Sequence, residues 1–167
     1  MHTKKPTEKE RFRCRAMICA EKITDKFGQL DEFLGILKGM RKTPVGKFLK
    51  DKVLIGSAKY YLQVSVECCL DIANHIIAAE GFRAPKDYAD SFKVLEEHNV
   101  FDEHLGMKLR QMAKFRNRLV HLYGEIDDGY VYEFIKKDLR DILDFKSVIA
   151  AKFLASPEQN FKNPEPK

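Results

Sequence analysis

From residue 8 onward, apolar side chains return every three or four positions as Phe12, Ala16, Cys19, Ile23, Phe27, Leu30, Phe33 and Leu37, the trace of one helix face. The spacing predicts a helix over 8–38. Gly39 and the Lys42-Thr43-Pro44 stretch end it, because the proline removes a donor and disfavours helix at Thr43. A second run, with Leu49, Val53, Tyr60, Val64, Cys68, Ile72, Ile76 and Ala79 at helical spacing, predicts a helix over 46–80 terminated by Gly81. Pro85 stands where a first-turn proline belongs, and Tyr88, Phe92 and Leu95 mark a third helix over 86–98.

Asp102 is placed to cap a fourth helix over 102–123, which carries Leu105, Leu109, Met112, Phe115 and Leu119 and meets Gly124, a candidate left-handed cap. After the turn at 125–129, Val131, Ile135, Leu139, Ile142, Phe145 and Ile149 predict a fifth helix over 130–155. Residues 156–167 hold three prolines and little to bury, so a flexible tail is expected there. No alternating strand pattern occurs. The expected fold is all-α: one domain over 1–155, an antiparallel bundle of about five helices.

Composition narrows this little, since 44% apolar and 33% charged residues over 167 positions suit one helical domain. There is no run of about eighteen apolar residues and no apolar leader near the N-terminus, so a chain neither secreted nor membrane-spanning is expected. Cys14, Cys19, Cys68 and Cys69 lack the paired spacing of a zinc site, and a reducing cytoplasm is the expected compartment. Cys68 and Cys69 read as core filler.

Charge changes the picture through its distribution. The net +5 is modest, but residues 104–124 carry Lys108, Arg110, Lys114, Arg116 and Arg118 without an acid. A basic helix of this kind suits a phosphate-bearing partner, and it equally suits a solvated face. A second basic stretch, residues 4–15, precedes the first apolar turns.

The fourth predicted helix also breaks the bundle pattern, because its stripe steps through Leu105, Leu109, Met112, Arg116, Leu119 and Tyr123. A guanidinium at a core-type position needs a partner. Either an acid such as Glu67 or Asp71 on the second helix supplies it, or the stripe faces a cleft or a second copy of the chain. Arg116 and His121 are five residues apart, about 140° around an ideal helix. They can converge if the helix unwinds before Gly124 or if a two-fold dimer brings one chain's His121 to the other's Arg116. Asn117 and His121, four apart, share a face.

These residue types can cleave RNA without a metal. A neutral imidazole takes the proton of a ribose 2′-hydroxyl, a guanidinium holds the phosphate as charge grows on its oxygens, and Asn117 adds a neutral donor or orients the ring. The plainer alternatives are a His121 that caps the helix C-terminus and a Tyr123 that packs with its hydroxyl in solvent. Asp71 and His75, four apart on the second helix, read as an intrahelical or bundle hydrogen bond.

The string Arg116-Asn117-Arg118-Leu119-Val120-His121-Leu122-Tyr123 resembles the Arg-x4-His-x-Tyr signature of the HepT toxins, a branch of the HEPN superfamily of helical ribonucleases. Leu62-Gln63-Val64, Glu67 and Leu70-Asp71-Ile72-Ala73-Asn74-His75 resemble that family's second long helix, with Pro85, Tyr88, Phe92 and Leu95 following in order, so the likeness spans about 47–150. The resemblance implies a HEPN homodimer whose composite cleft cuts RNA, transfer or messenger, with Arg116 and His121 catalytic and Asn117 supporting. Lys108, Arg110, Lys114 and Arg118 are the candidate RNA contacts. No cofactor is implied for cleavage.

The resemblance further implies a partner, an MntA-like nucleotidyltransferase antitoxin that moves AMP from ATP onto Tyr123. Bulk and negative charge two residues from His121 would repel an incoming phosphate. The long basic segment before the first helix departs from the family pattern. A second class of function, a non-catalytic adaptor whose same surface docks a nucleotidyltransferase or a nucleotide, predicts complex formation without loss of RNA.

Overall fold

A computed structural model of the chain describes residues 8–121 and 126–154, with side chains from Ala20 onward. Its elements are α1 (Glu8–Met40), α2 (Val45–Phe48), α3 (Lys52–Glu80), α4 (Tyr88–Glu97), α5 (Glu103–His121), α6 (Asp128–Lys137) and α7 (Leu139–Ile149), then a π-helical turn over Ala150–Leu154. The described residues contain no strand.

Cross-helix pairs give the directions. Lys26 meets Asp71, Gln29 meets Cys68 and Phe33 meets Tyr61, so α1 and α3 run antiparallel. Arg110 pairs with Glu96 and Arg116 lies over Tyr88, which sets α5 antiparallel to α4. Lys108 with Asp141 and Phe115 with Phe134 do the same for α5 against α6 and α7.

Two of the five helices read from the sequence are each two helices. The segment read as 46–80 breaks at Asp51, whose carboxylate accepts from the Val53 and Leu54 amides at 3.0 and 2.9 Å and starts α3. The segment read as 130–155 breaks at Asp138, between α6 and α7, and ends in the π-helical turn. At both breaks the apolar stripe resumes nearly in register, so periodicity alone does not mark them. Pro85 lies outside α4, which begins after the Asp87 cap.

Other terminators act where the sequence places them. Gly81 closes α3 in the left-handed region with φ 70°, and Asp102 accepts from the Leu105 amide at 2.8 Å to start α5. Gly124 and the tail lie outside the described residues.

The core is continuous. Ile23, Phe27, Leu30, Leu34 and Leu37 of α1 face Ile55, Ala58, Leu62, Val66, Cys69, Ile72, Ala73 and Ile76 of α3, and Val131, Ile135, Leu139, Ile142, Phe145 and Ile149 close the other side. In α1 it is Leu34 that is buried and Phe33 that packs at the margin. Over a window of α3 the mean hydropathy reaches 1.2, enough by length and composition for a membrane span. Much of that apolar surface is core.

The stretch from Leu49 through the first half of α3 holds the larger surprise. Leu49, Val53 and Tyr60, which the periodicity assigns to the core, are exposed, Val53 at 79% and Tyr60 at 57%. The core face there is Ile55, Ala58 and Leu62 instead. This helix is apolar on two faces, and spacing cannot rank one above the other. The outer face is an apolar ribbon of Leu49, Val53, Gly56, Tyr60 and Val64.

Candidate functional site

Arg116 leaves α5 toward α3, and its side chain is 13% exposed. Its Nε and Nη2 both donate to Glu67 Oε1, at 3.1 and 2.5 Å, and the same oxygen accepts from Gln63 Nε2 at 3.0 Å. Of the partners the register allows, Glu67 of the same chain is the one present; Asp71 pairs instead with Lys26 at 2.7 Å. Nη1 donates to Asn117 Oδ1 at 3.3 Å, and the guanidinium carbon stands 5.0 Å from the Tyr88 ring centroid. The cation is thus held in one orientation by a carboxylate, an amide and an aromatic face.

His121 is the last residue of α5 and is exposed. The helix stays regular through it, so within one chain Arg116 and His121 point to different surroundings and share no hydrogen bond among the described residues. Unwinding before His121 does not bring them together. Tyr123 falls outside the described residues.

The four candidate RNA contacts divide. Lys108 is bound to Asp141 at 2.9 Å and Arg110 to Glu96, whereas Lys114 and Arg118 are exposed without an ion pair among the described residues. Glu96 is partly desolvated, yet Lys93 and Arg110 outweigh that burial and keep its carboxyl below the usual range.

Asp71 makes a bundle hydrogen bond, to Lys26, while His75 Nε2 is buried without a partner among the described residues, so the two do not pair with each other. Burial pushes the His75 imidazole below its ordinary value, and Lys22 pushes the same way. Cys68 and Cys69 are buried free thiols, and burial raises both. Sequence reasoning gave no site role to Gln63, which braces Glu67, or to Tyr88, which marks the third predicted helix and is 45% exposed beside Arg116. A signal existed for Gln63, four residues before Glu67.

An all-helical bundle with Arg-x4-His at the end of one helix fits the HEPN class of proteins, and the fold matches a HEPN toxin of known structure. Within that class the chain belongs to the Ribonuclease HepT-like family, whose model matches residues 23–149. The family makes it a ribonuclease by class.

The chain is 34% identical over 105 residues to the mRNA nuclease HepT of Shewanella oneidensis, an alignment covering 63% of this chain and 79% of that one. Its fold matches the tri-AMPylated HEPN toxin of Shewanella oneidensis, solved in complex with the MNT antitoxin, with TM-score 0.74, 29% identity and coverage of 78% and 98%. A toxin–antitoxin structure with AMP-PNP matches with TM-score 0.73 and 28% identity, covering 79% of this chain and 99% of that one.

Proposed function

We propose that this ribonuclease is a homodimeric, metal-independent endonuclease and the toxin of a toxin–antitoxin pair, silenced by AMP transfer onto Tyr123. The observation that carries the reading is the braced Arg116: a nearly buried guanidinium, fixed by Glu67, Asn117 and Tyr88 beside an acid-free helix surface. A cation so held needs little reorganisation to meet a phosphate.

The chemistry follows from the residue types. His121 takes the 2′-hydroxyl proton, and the 2′-oxygen attacks the adjacent phosphorus. The 5′-oxygen then leaves and gains a proton, so one fragment ends in a 2′,3′-cyclic phosphate and the other in a 5′-hydroxyl. Arg116 offsets the charge on the equatorial oxygens, and Asn117 supports it. Lys114 and Arg118, exposed and unpaired among the described residues, are the stronger candidates for RNA contacts. Lys108 and Arg110 would first have to leave Asp141 and Glu96.

Two copies are needed, since Arg116 and His121 diverge within one chain. The apolar ribbon of α3 supports the dimer: it runs through Tyr60 and Val64 to Glu67, the carboxylate that holds Arg116. Pairing along this ribbon would bury Val53 and Tyr60 and set the two copies of α5 near one another.

The partner is an MntA-like nucleotidyltransferase, a reading supported by the antitoxin in the structural neighbours. In its reaction the Tyr123 hydroxyl attacks the α-phosphorus of ATP, pyrophosphate leaves and the phenol proton passes to solvent. ATP serves only that step. The target is messenger or transfer RNA, and the compartment is the cytoplasm, where the free thiols of Cys68 and Cys69 suit reducing conditions.

The test is direct. Purified protein with single-stranded RNA in EDTA should produce 2′,3′-cyclic phosphate ends, and His121→Ala should produce none. An inert wild type, or a His121→Ala variant as active as wild type, contradicts the proposal.

A further inference from the structure

Beside Arg116, between α3, the α4 entry and α5, lies an open cavity of about 490 Å³. Tyr88 and Pro85 supply apolar walls, Asn74, Ser91 and Asn117 supply neutral polar groups, and Asp87 adds a carboxylate whose Oδ1 accepts from the Asp90 amide at 2.8 Å. Arg116 holds the Tyr88 ring from the outside of this cavity's lining, while 45% of the tyrosine stays exposed. An aromatic ring fixed in place and open to solvent, with amides around it, is the composition of a stacking subsite for a flat polar ligand.

Hydrogen-bond bookkeeping narrows the ligand. The guanidinium has no acceptor, so the Asn117 atom that faces Arg116 must be Oδ1, and what Asn117 has left to offer is its amino group. The Asn74 carbonyl oxygen accepts from the buried Ser91 hydroxyl at 2.8 Å, which again leaves the amino group. Neither amino group has a partner among the described residues. The cavity therefore presents two amide donors beside the Asp87 carboxylate, a set that suits a base edge carrying carbonyl oxygens together with an N–H, as uracil does.

We propose that this cavity is a nucleobase subsite, which takes one unpaired base of the RNA next to the phosphate held by Arg116 and favours uracil over adenine. Stacking on Tyr88 supplies sequence-tolerant affinity, and the amino groups of Asn74 and Asn117 select carbonyl oxygens over the adenine amino group. Arg116 and Asn117 are adjacent in sequence and bonded to each other, so one strand can place its phosphate on the first and its base against the second. Exposed Lys86 at the rim is available to a flanking phosphate. This inference rests on the RNA-cleavage reading of Arg116 for its substrate.

Fully 2′-O-methylated hexamers of uridine and of adenosine lack the reacting hydroxyl and test the subsite without turnover. The full chain should bind the uridine hexamer more tightly than the adenosine hexamer. Tyr88→Ala should weaken both roughly tenfold, while Tyr88→Phe holds them near wild type. Asn74→Ala, away from the Arg116 contact, should erase the preference for uridine with the circular dichroism spectrum unchanged. Equal affinity of the wild type for the two hexamers, or a folded Tyr88→Ala that binds like wild type, overturns the subsite. Should the chain cut RNA while these variants change nothing, the subsite fails and the nuclease reading stands. Weaker binding of both hexamers by Tyr88→Ala and a uridine preference lost in Asn74→Ala, in a protein that cuts no RNA, uphold the subsite and remove the nuclease reading.

Discussion

Arg116 and His121 share one regular helix and yet face apart: the arginine is turned inward onto Glu67, and the histidine stands exposed at the helix end. Their separation along α5 fixes that divergence, because five residues carry a helix about 140° around its axis. In the proposed dimer, a cleavage site that uses both draws them from different chains. The apolar ribbon of α3, which ends at the carboxylate holding Arg116, lies where such a pairing would occur.

Glu67 is the hinge of this arrangement. Glu67→Ala removes the carboxylate from a guanidinium that is 13% exposed, so about 1–2 kcal/mol of stability should be lost, less than for a fully buried pair because Glu67 itself reaches solvent. Cleavage should fall as well, since Arg116 loses its orientation, and Glu67→Gln should retain part of both. Chemical denaturation with a parallel cleavage assay measures the two effects. A stable Glu67→Ala of normal activity would show that the brace is idle.

Asp51 begins α3 by accepting two amide donors, and α3 carries both the core face and the outer ribbon. Asp51→Ala should cost about 1 kcal/mol, the usual worth of such a cap. Asp51→Ser or Asp51→Asn should restore most of it in the same melting experiment.

His75 sets a pH dependence. Its folded value lies below its ordinary one, chiefly through burial and then through Lys22. The unfolded chain therefore takes up this proton first, near pH 6.5, and stability falls as pH drops from about there toward the folded value. Melting temperatures at pH 7.5 and 5.5 should differ less in His75→Gln than in the wild type. An equal difference would assign the acid sensitivity to other groups.

Much of this was legible in the sequence, and the failures share a cause. The fourth predicted helix, its cap at Asp102 and its need for an acid at Arg116 follow from a single apolar stripe interrupted by one charge, and Glu67 meets that need. The breaks at Asp51 and Asp138 escaped because the apolar stripe resumes after each. The outward turn of Val53 and Tyr60 escaped because α3 is apolar on two faces, and only the packing partner decides between them. Tyr88 marks a helix by its spacing, but periodicity reports an apolar position and not which surface it serves.

Tyr123 supplies the regulatory prediction. Incubated with ATP and an MntA-type nucleotidyltransferase, the wild-type chain should gain mass in steps of one AMP and lose cleavage, and Tyr123→Phe should gain none at that position and stay active. Intact-mass spectrometry beside the cleavage assay reads both. Silencing of Tyr123→Phe with the same AMP content would place the acceptor elsewhere.

The most direct test of the central claim joins two dead variants. Arg116→Ala and His121→Ala, each inactive alone, are co-expressed with different tags and the mixed dimer is isolated. If each site takes Arg116 from one chain and His121 from the other, one of its two sites is intact and roughly half of wild-type cleavage returns. A mixed dimer as inactive as its parents would contradict the composite site.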